Sequence, residues 1–231
     1  MLGAIIGDIV GSRYELRADR SKKDFELFTD ECNFTHDTVC NVAIADAILN
    51  NRPYRETLHD WCSRYPDRMR DTGTAMCVSP VAWLFNDYHE VLEQSKLCAE
   101  ISHSGADGIS GDQCVATLIY WLRTCRITKS EIEYAVRRNF GYDIPSLKSS
   151  CQETIPWAIR CFLESENYED ALHIAVKANS NTGTAAICGS IAEAYYEIPE
   201  NMIERAYEYL PEEMLTVIEQ FYDSMQTEIG K

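Results

Sequence analysis

The stretch CNFTHDTVCNVAIADAIL, Cys32 to Leu49, sets Thr35, His36, Asp37 and Thr38 side by side at the mouth of an apolar helical pattern. Val39, Val42, Ala43 and Ile48 fall near one face of that helix. Polar side chains at a helix start have two uses. Thr35 or Asp37 is an N-cap, which is what Thr and Asp ordinarily do there. Alternatively, a hydroxyl and a carboxylate are hard oxygen ligands for Mg²⁺ or Ca²⁺. The segment by itself favours the cap.

Working outward, nearly every periodic segment is helical. GDQCVATLIYWLRTC (111–125) is thoroughly apolar and reads as a central helix. TKSEIEYAVRRNFG (128–141) opens with Thr128 and Glu131 at capping-box spacing and closes on Gly141. TIPWAIRCFLE (154–164) has Pro156 near a helix start, where a missing N–H does little harm. NYEDALHIAVKA (167–178) and GTAAICGSIAEAYY (183–196) follow. LPEEMLTVIEQFYDSM (210–225) begins with Pro211 and two acids, as the helix dipole favours. No run alternates at period two for long enough to make a strand. There is no Gly/Ser/Pro-rich linker and no internal repeat. The expectation is one all-α domain over 1–231 with short polar loops.

The 231 residues include 45% hydrophobic ones, enough for a substantial core. Lys and Arg number 21 against 37 Asp and Glu, a formal charge of −16. Such a chain is unsuited to direct nucleic-acid binding or to an anionic membrane, and a metal cation suits it better. The ten cysteines form no CxxC pair, which argues against a zinc cluster. MLGAIIGDIVGS has no basic leader region and is interrupted by Asp8, so it does not read as a signal peptide. The cysteines therefore read as reduced core residues of a cytoplasmic protein. No apolar run approaches about 18 residues, so no membrane span is expected.

Four further stretches carry polar residues next to helices. In GAIIGDIVGSRYE (3–15), Gly3, Gly7 and Gly11 leave one helix face smooth enough for close backbone approach; Asp8 is an acid on an otherwise apolar helix, and Glu15 lies just beyond it. In RDTGTAMCVSPVAW (70–83), Thr72, Gly73 and Thr74 offer backbone N–H groups suited to phosphate. SHSGADGISGDQ (102–113) places His103 between serines, ahead of an acidic helix start. KANSNTGTAAICGSIAEAYYEIP (177–199) places Asn179 to Thr184 before a small-residue helix. Taken singly, each reads as readily as a packed helix, a cap, a structural histidine or a turn.

Their order is more specific. Together they resemble the ADP-ribosylglycohydrolase family, all-α hydrolases that include the dinitrogenase reductase-activating type. Gly7, Asp8, Gly11, Tyr14 and Glu15 match the family's G-D-x-x-G-x-x-Y-E. Phe34-Thr35-His36-Asp37-Thr38 matches its F-T-D-D-T. Asp71 to Pro80 matches G-N-G-S-A-M-R-V-S-P more weakly. Ser102-His103-Ser104, SCQETIPWAIRCFLES (150–165) and CGSIAEAYYEIP (188–199) match later segments. The resemblance implies a compact, orthogonal multi-helix bundle with a central cleft.

It also implies an activity: hydrolysis of the bond joining ADP-ribose to arginine, serine or another acceptor. Family members hold two Mg²⁺ or Mn²⁺ ions through the early Thr-Asp-Asp and a later Asp-x-Asp-Thr. Here the first motif keeps Thr35 and Asp37 and has His36 for its first Asp. The second falls on Ser180, Asn181, Thr182 and Gly183, so three of four carboxylates are absent. Thr35 and Asp37 are then the metal ligands, with His36, Ser180 and Thr182 as weak candidates, for at most one ion or none. Glu15 and Asp37 are the implied catalytic residues. Asp8, Thr72, Gly73, Thr74, Met76, His103 and Gly105 are the implied substrate-binding ones. The segments before Asp71 and before Ser150 are shorter than in typical members, which implies more open walls.

Three outcomes stay open at this level. One is an ADP-ribosyl hydrolase with a weakened metal centre. Another is a catalytically inactive module that binds ADP-ribose or a nucleotide. The third is an interaction protein that keeps only the fold. The alignment expects Glu15, Asp37 and Ser180 to face one cavity.

Overall fold

In the computed structural model, helix α1 (Leu2–Ser12) lies against α10 (Thr182–Glu193) more extensively than any other two elements pack. Glycine makes this possible. A Cβ on Gly7 would run into the Ala185 carbonyl and stand 2.8 Å from the Ala186 Cα. One on Gly3 would meet the Gly189 carbonyl, and one on Gly189 the Gly3 carbonyl. One on Gly11 would stand 3.1 Å from the Thr182 Cα. Gly3, Gly7 and Gly11 thus face Gly189, Ala185 and Thr182, so the helices run antiparallel in backbone contact. This is the close approach that the four-residue glycine spacing predicts. Both helices are buried on every side, as expected of helices apolar all round.

The structure describes residues 1–13, 26–68, 74–102, 106–146, 153–178 and 182–229. The other helices are α2 (His36–Leu49), α3 (Tyr54–Arg64), α4 (Ser79–Leu84), α5 (Tyr88–Ser102), α6 (Ala106–Arg123), α7 (Lys129–Phe140), α8 (Thr154–Glu164), α9 (Tyr168–Ala178), α11 (Glu200–Tyr207) and α12 (Glu212–Ile229). Single 3-10 turns lie at Pro66–Arg68 and Thr74–Met76. No strand occurs among the described residues, and no described helix is long and apolar enough to cross a membrane.

The helix ends follow the sequence signals. The Thr128 N–H donates to Glu131 Oε2 at 2.9 Å, and α7 stops on Gly141 at φ +74°, a left-handed conformation that glycine adopts readily. Pro156 sits in the first turn of α8, and Glu212 and Glu213 in that of α12. The start of α1 is tied to the far end of α10. The Met1 amine is fully buried, 2.6 Å from Glu193 Oε2, which also accepts the Gly3 N–H at 2.9 Å. Tyr222 of α12 donates to Glu193 Oε1 at 2.6 Å and accepts the Leu2 N–H at 3.0 Å. The buried charges are thereby paired and hydrogen-bonded, as burial demands.

Two expectations need correction. The sequence gives α2 one apolar face, yet His36 to Ala45 are buried on all sides. Helices α1, α3, α4 and α12 all pack against it, and its small residues Cys40, Ala43 and Ala45 let them close in. The cysteines are mostly core residues: seven of the nine described are buried. Cys125 is exposed instead, because it turns the chain after α6 at φ +53°.

Candidate active site

The site is assembled at the C-terminal half of α1. Asp8 projects from α1 onto the start of α2 and is completely buried. Its Oδ2 accepts the Thr35 N–H at 2.8 Å, the Thr38 N–H at 3.2 Å and the Thr38 hydroxyl at 2.5 Å. Its Oδ1 accepts the Thr35 hydroxyl at 2.6 Å. A carboxylate from one helix thus closes the N-terminus of another, where unsatisfied N–H groups and the dipole favour negative charge. Thr35 is the N-cap of α2 and accepts the Asp37 N–H at 3.3 Å. The cap reading of the opening stretch therefore holds, but half of the cap comes from α1. Because Asp8 takes the Thr35 proton, the Thr35 oxygen is left with its lone pairs turned elsewhere.

Asp37 is 3% exposed. Burial raises the Asp8 pKa, the nearby Asp37 charge raises it further, and the bonds from Thr35 and Thr38 oppose the rise. His36 Nδ1 lies 3.5 Å from Asp37 Oδ1. Burial works to lower the His36 pKa, but hydrogen bonding to Asp37 and its charge outweigh it, and the ring titrates above its ordinary value. Cys40 Sγ stands 3.2 Å from His36 Nε2 and 4.0 Å from Nδ1. Those distances differ by less than the width of the ring, so the sulfur lies beside the imidazole rather than on the Nε2 lone-pair axis. The hydrogen bond with Cys62 works to lower the Cys40 pKa, but the one with Cys77 and burial outweigh it; the hydrogen bond with Cys40 and burial raise Cys62, so both thiols titrate above the ordinary range. The group is a packed polar cluster and not a thiol–imidazole nucleophile.

Opposite this head lies the Thr74–Met76 turn, which packs against α2, α6 and α10. The buried Thr74 hydroxyl donates to Asp112 Oδ2 of α6. The Cys77 N–H closes the turn on the Thr74 carbonyl at 2.9 Å. From α2, Asn41 Nδ2 reaches the Met76 carbonyl and Ser79 Oγ, each at 3.4 Å. Thr182, the first residue of α10, is buried at the Gly11 end of α1. Asp8, Thr35, His36, Asp37, Thr74, Met76 and Thr182 thus gather around the meeting of α1, α2, α10 and this turn. Glu15, Thr72, Gly73, His103, Gly105 and Ser180 lie outside the described residues, and with them two members of the expected trio Glu15, Asp37 and Ser180.

Sequence reasoning missed Asn41 and Asp112. Asn41 sits four residues after Asp37 on the same helix, so the i, i+4 spacing was an available signal. Asp112 follows Gly111 at what looks like an ordinary acidic helix start. It is 1% exposed. Burial raises its pKa from 3.8 to about 7, against the hydrogen bond from Thr74. Between about pH 4 and about 7 the folded chain therefore keeps a proton that the unfolded chain has released, and stability falls as pH rises through that window. The shift corresponds to roughly 4 kcal/mol at most. Asp112→Asn cannot ionise and still accepts from Thr74. It is expected to gain on the wild type as pH rises from 5 to 8 in urea unfolding; a gap that stays constant with pH contradicts the assignment.

Hydroxyls at two helix starts, a buried carboxylate pair and a tight turn define a polar site at converging helix ends of an all-α protein. The sequence matches the family model of the ADP-ribosylglycohydrolases over residues 1–230, and the chain belongs to that family, whose members are glycohydrolases. A solved structure described as an ADP-ribosylglycohydrolase-related protein complex superimposes with a TM-score of 0.72, covering 97% of both chains at 16% identity. At that identity the likeness speaks for the fold alone. No curated protein matches the sequence.

The family's two-ion centre does not fit the described donors. Among the described residues no three His, Cys, Asp or Glu side chains are grouped to hold a metal ion. At the family's positions the anionic oxygen is that of Asp37, and the neutral donors are Thr35 and Thr182. Mg²⁺ is dehydrated reluctantly and favours carboxylates.

Proposed function

We propose that this protein binds an ADP-ribosyl group beside the Thr35–Thr38 head and hydrolyses its glycosidic bond with a weakened metal centre that holds at most one cation. The observation that carries this is the Asp8-closed start of α2, set beside the Thr74–Met76 turn, in a chain that belongs to the family over nearly its whole length. In this reading the turn and the preceding Thr72 and Gly73 hold phosphate oxygens through backbone N–H groups. His103 and Gly105 border the ribose. Asp37 orients the attacking water and stabilises the positive charge that develops at the anomeric carbon, and Glu15 takes the water's proton. The water oxygen bonds to that carbon, the bond to the acceptor breaks, and the acceptor leaves with the proton that Glu15 took from the water.

The test is incubation with ADP-ribosylated arginine, serine and nucleic acid, with and without Mg²⁺, beside a Glu15→Gln control. Release above the control supports hydrolysis. A second reading, binding without turnover, is favoured by the sequence, which has His36, Ser180 and Thr182 where the family has carboxylates. It is supported if calorimetry detects ADP-ribose while no substrate is cut. Failure of both, with no binding at millimolar ADP-ribose, leaves an interaction protein.

The metal half of the reading has its own check. His36→Asp puts a carboxylate where the family has one. It is expected to tighten Mn²⁺ binding by about tenfold, one carboxylate being worth roughly 1.4 kcal/mol or more to a hard cation. Unchanged Mn²⁺ titration in the variant argues that position 36 does not face the cation site.

A further inference from the structure

We infer that Asp112 is a positioning residue that, together with Asn41, fixes the Thr74–Met76 turn at the binding site. The inference deepens the ADP-ribosyl reading and rests on it for its consequence in ligand affinity.

The turn is short, and the chain just before it carries the phosphate-binding positions Thr72 and Gly73. Its own bonds are those from Cys77, whose N–H and thiol both reach the Thr74 carbonyl, at 2.9 and 3.3 Å. Among the described residues, the other hydrogen bonds that fix it come from side chains on two helices. Asp112 of α6 takes the Thr74 hydroxyl on one side. Asn41 of α2 holds the Met76 carbonyl and Ser79 on the other, one helical turn beyond Asp37. Neither residue is where stability alone would place it. Asp112 is 1% exposed, and Thr74 is the one described donor to its carboxyl. Asn41 is fully buried, and its Oδ1 has no partner among the described residues. A buried polar group with an unmet oxygen is destabilising relative to an apolar side chain of similar volume. What the two have in common is the turn they hold. Through Asn41 the turn is referenced to the helix that Thr35 caps and that carries Asp37, and through Asp112 to the helix that follows His103 in the chain. The two sides of the site are therefore kept in register by these residues, and a binding pocket needs that register to within a fraction of an ångström.

The test uses the full chain and two readouts, amide hydrogen exchange across residues 74–78 and calorimetry with ADP-ribose. Asp112→Ala is expected to speed exchange at the Cys77 N–H by about tenfold or more while α12 is unchanged, as local opening implies. ADP-ribose binding should weaken by about tenfold with it. Asp112→Asn keeps an acceptor for Thr74 and should restore both readouts to within about threefold of wild type. Thr74→Val removes the donor instead; it should reproduce the alanine phenotype, and it serves if Asp112→Ala fails to fold. Added to Asp112→Ala, it should worsen neither readout, because the two act through one bond. Unchanged exchange overturns the inference, and so does faster exchange with unaltered ADP-ribose affinity. If exchange responds as expected while the wild type binds no ADP-ribose, Asp112 holds the turn and the ADP-ribosyl reading is what fails.

Discussion

Gly7→Ala is expected to lower the thermal midpoint by about 10 °C or to prevent folding. In an exposed helix the same change would stabilise by about 1 kcal/mol, because alanine is the better helix former. Here the sign reverses. The new methyl would run into the Ala185 carbonyl and lie 2.8 Å from the Ala186 Cα, and both obstacles are backbone. Neither can rotate away, so α1 and α10 must separate along their buried seam. Overpacking of this kind costs about 3 kcal/mol or more, and each kcal/mol moves the midpoint of a chain this size by roughly 2–4 °C. Gly11→Ala is the control. Its methyl would lie 3.1 Å from the Thr182 Cα and 3.3 Å from the Ala185 Cβ, at the end of the helix where a few tenths of an ångström suffice. Its expected loss is about 1 kcal/mol or less. Thermal unfolding followed by circular dichroism separates the two. Equal midpoints for Gly7→Ala and Gly11→Ala contradict the antiparallel register.

Asp8→Ala is the second large effect. It removes the acceptor for two N–H groups and two hydroxyls at the buried start of α2. The hydroxyls can turn to other acceptors, but the N–H groups of Thr35 and Thr38 are fixed by the backbone. Stranding a buried donor costs about 1–3 kcal/mol, so the expected loss in urea unfolding at neutral pH is roughly 4 kcal/mol. Thr38→Val removes one hydroxyl of the four donors and should lose about 1 kcal/mol. A loss from Asp8→Ala no larger than that from Thr38→Val rules out Asp8 as the closure of α2.

The reach of the sequence can be judged at the same residues. The glycine spacing of α1 announced a smooth face, since the signal is local and the residue type is dictated by space. It could not announce α10 as the partner, because nothing in a periodicity names a segment so distant in the chain. Thr35 was legible as a cap. Its bond to Asp8 was not, since it joins positions 27 residues apart. The burial of α2 on all faces escaped because small residues such as Cys40 and Ala43 read as neutral in an amphipathic pattern while permitting neighbours on every side. Asp112 and Asn41 escaped for a related reason. A solitary polar residue on an apolar helix resembles a solvated one until its surroundings are known. The order of the motifs carried the family, and the helix ends carried the positions of Thr35, Asp37, Thr74 and Thr182.

The closure of α2 by Asp8 bears on how sequences of this kind diverge. Asp8, Thr35 and Thr38 stabilise the fold whether or not any reaction takes place, so selection for a stable chain is enough to keep them. The side chain at position 36 takes no part in that closure, so a carboxylate there can be lost without undoing it. A lineage losing its chemistry can therefore shed the carboxylate at position 36 and still keep the Asp8–Thr35 pair. The Asp8–Thr35 pair in a sequence therefore speaks for the fold, and not by itself for the reaction.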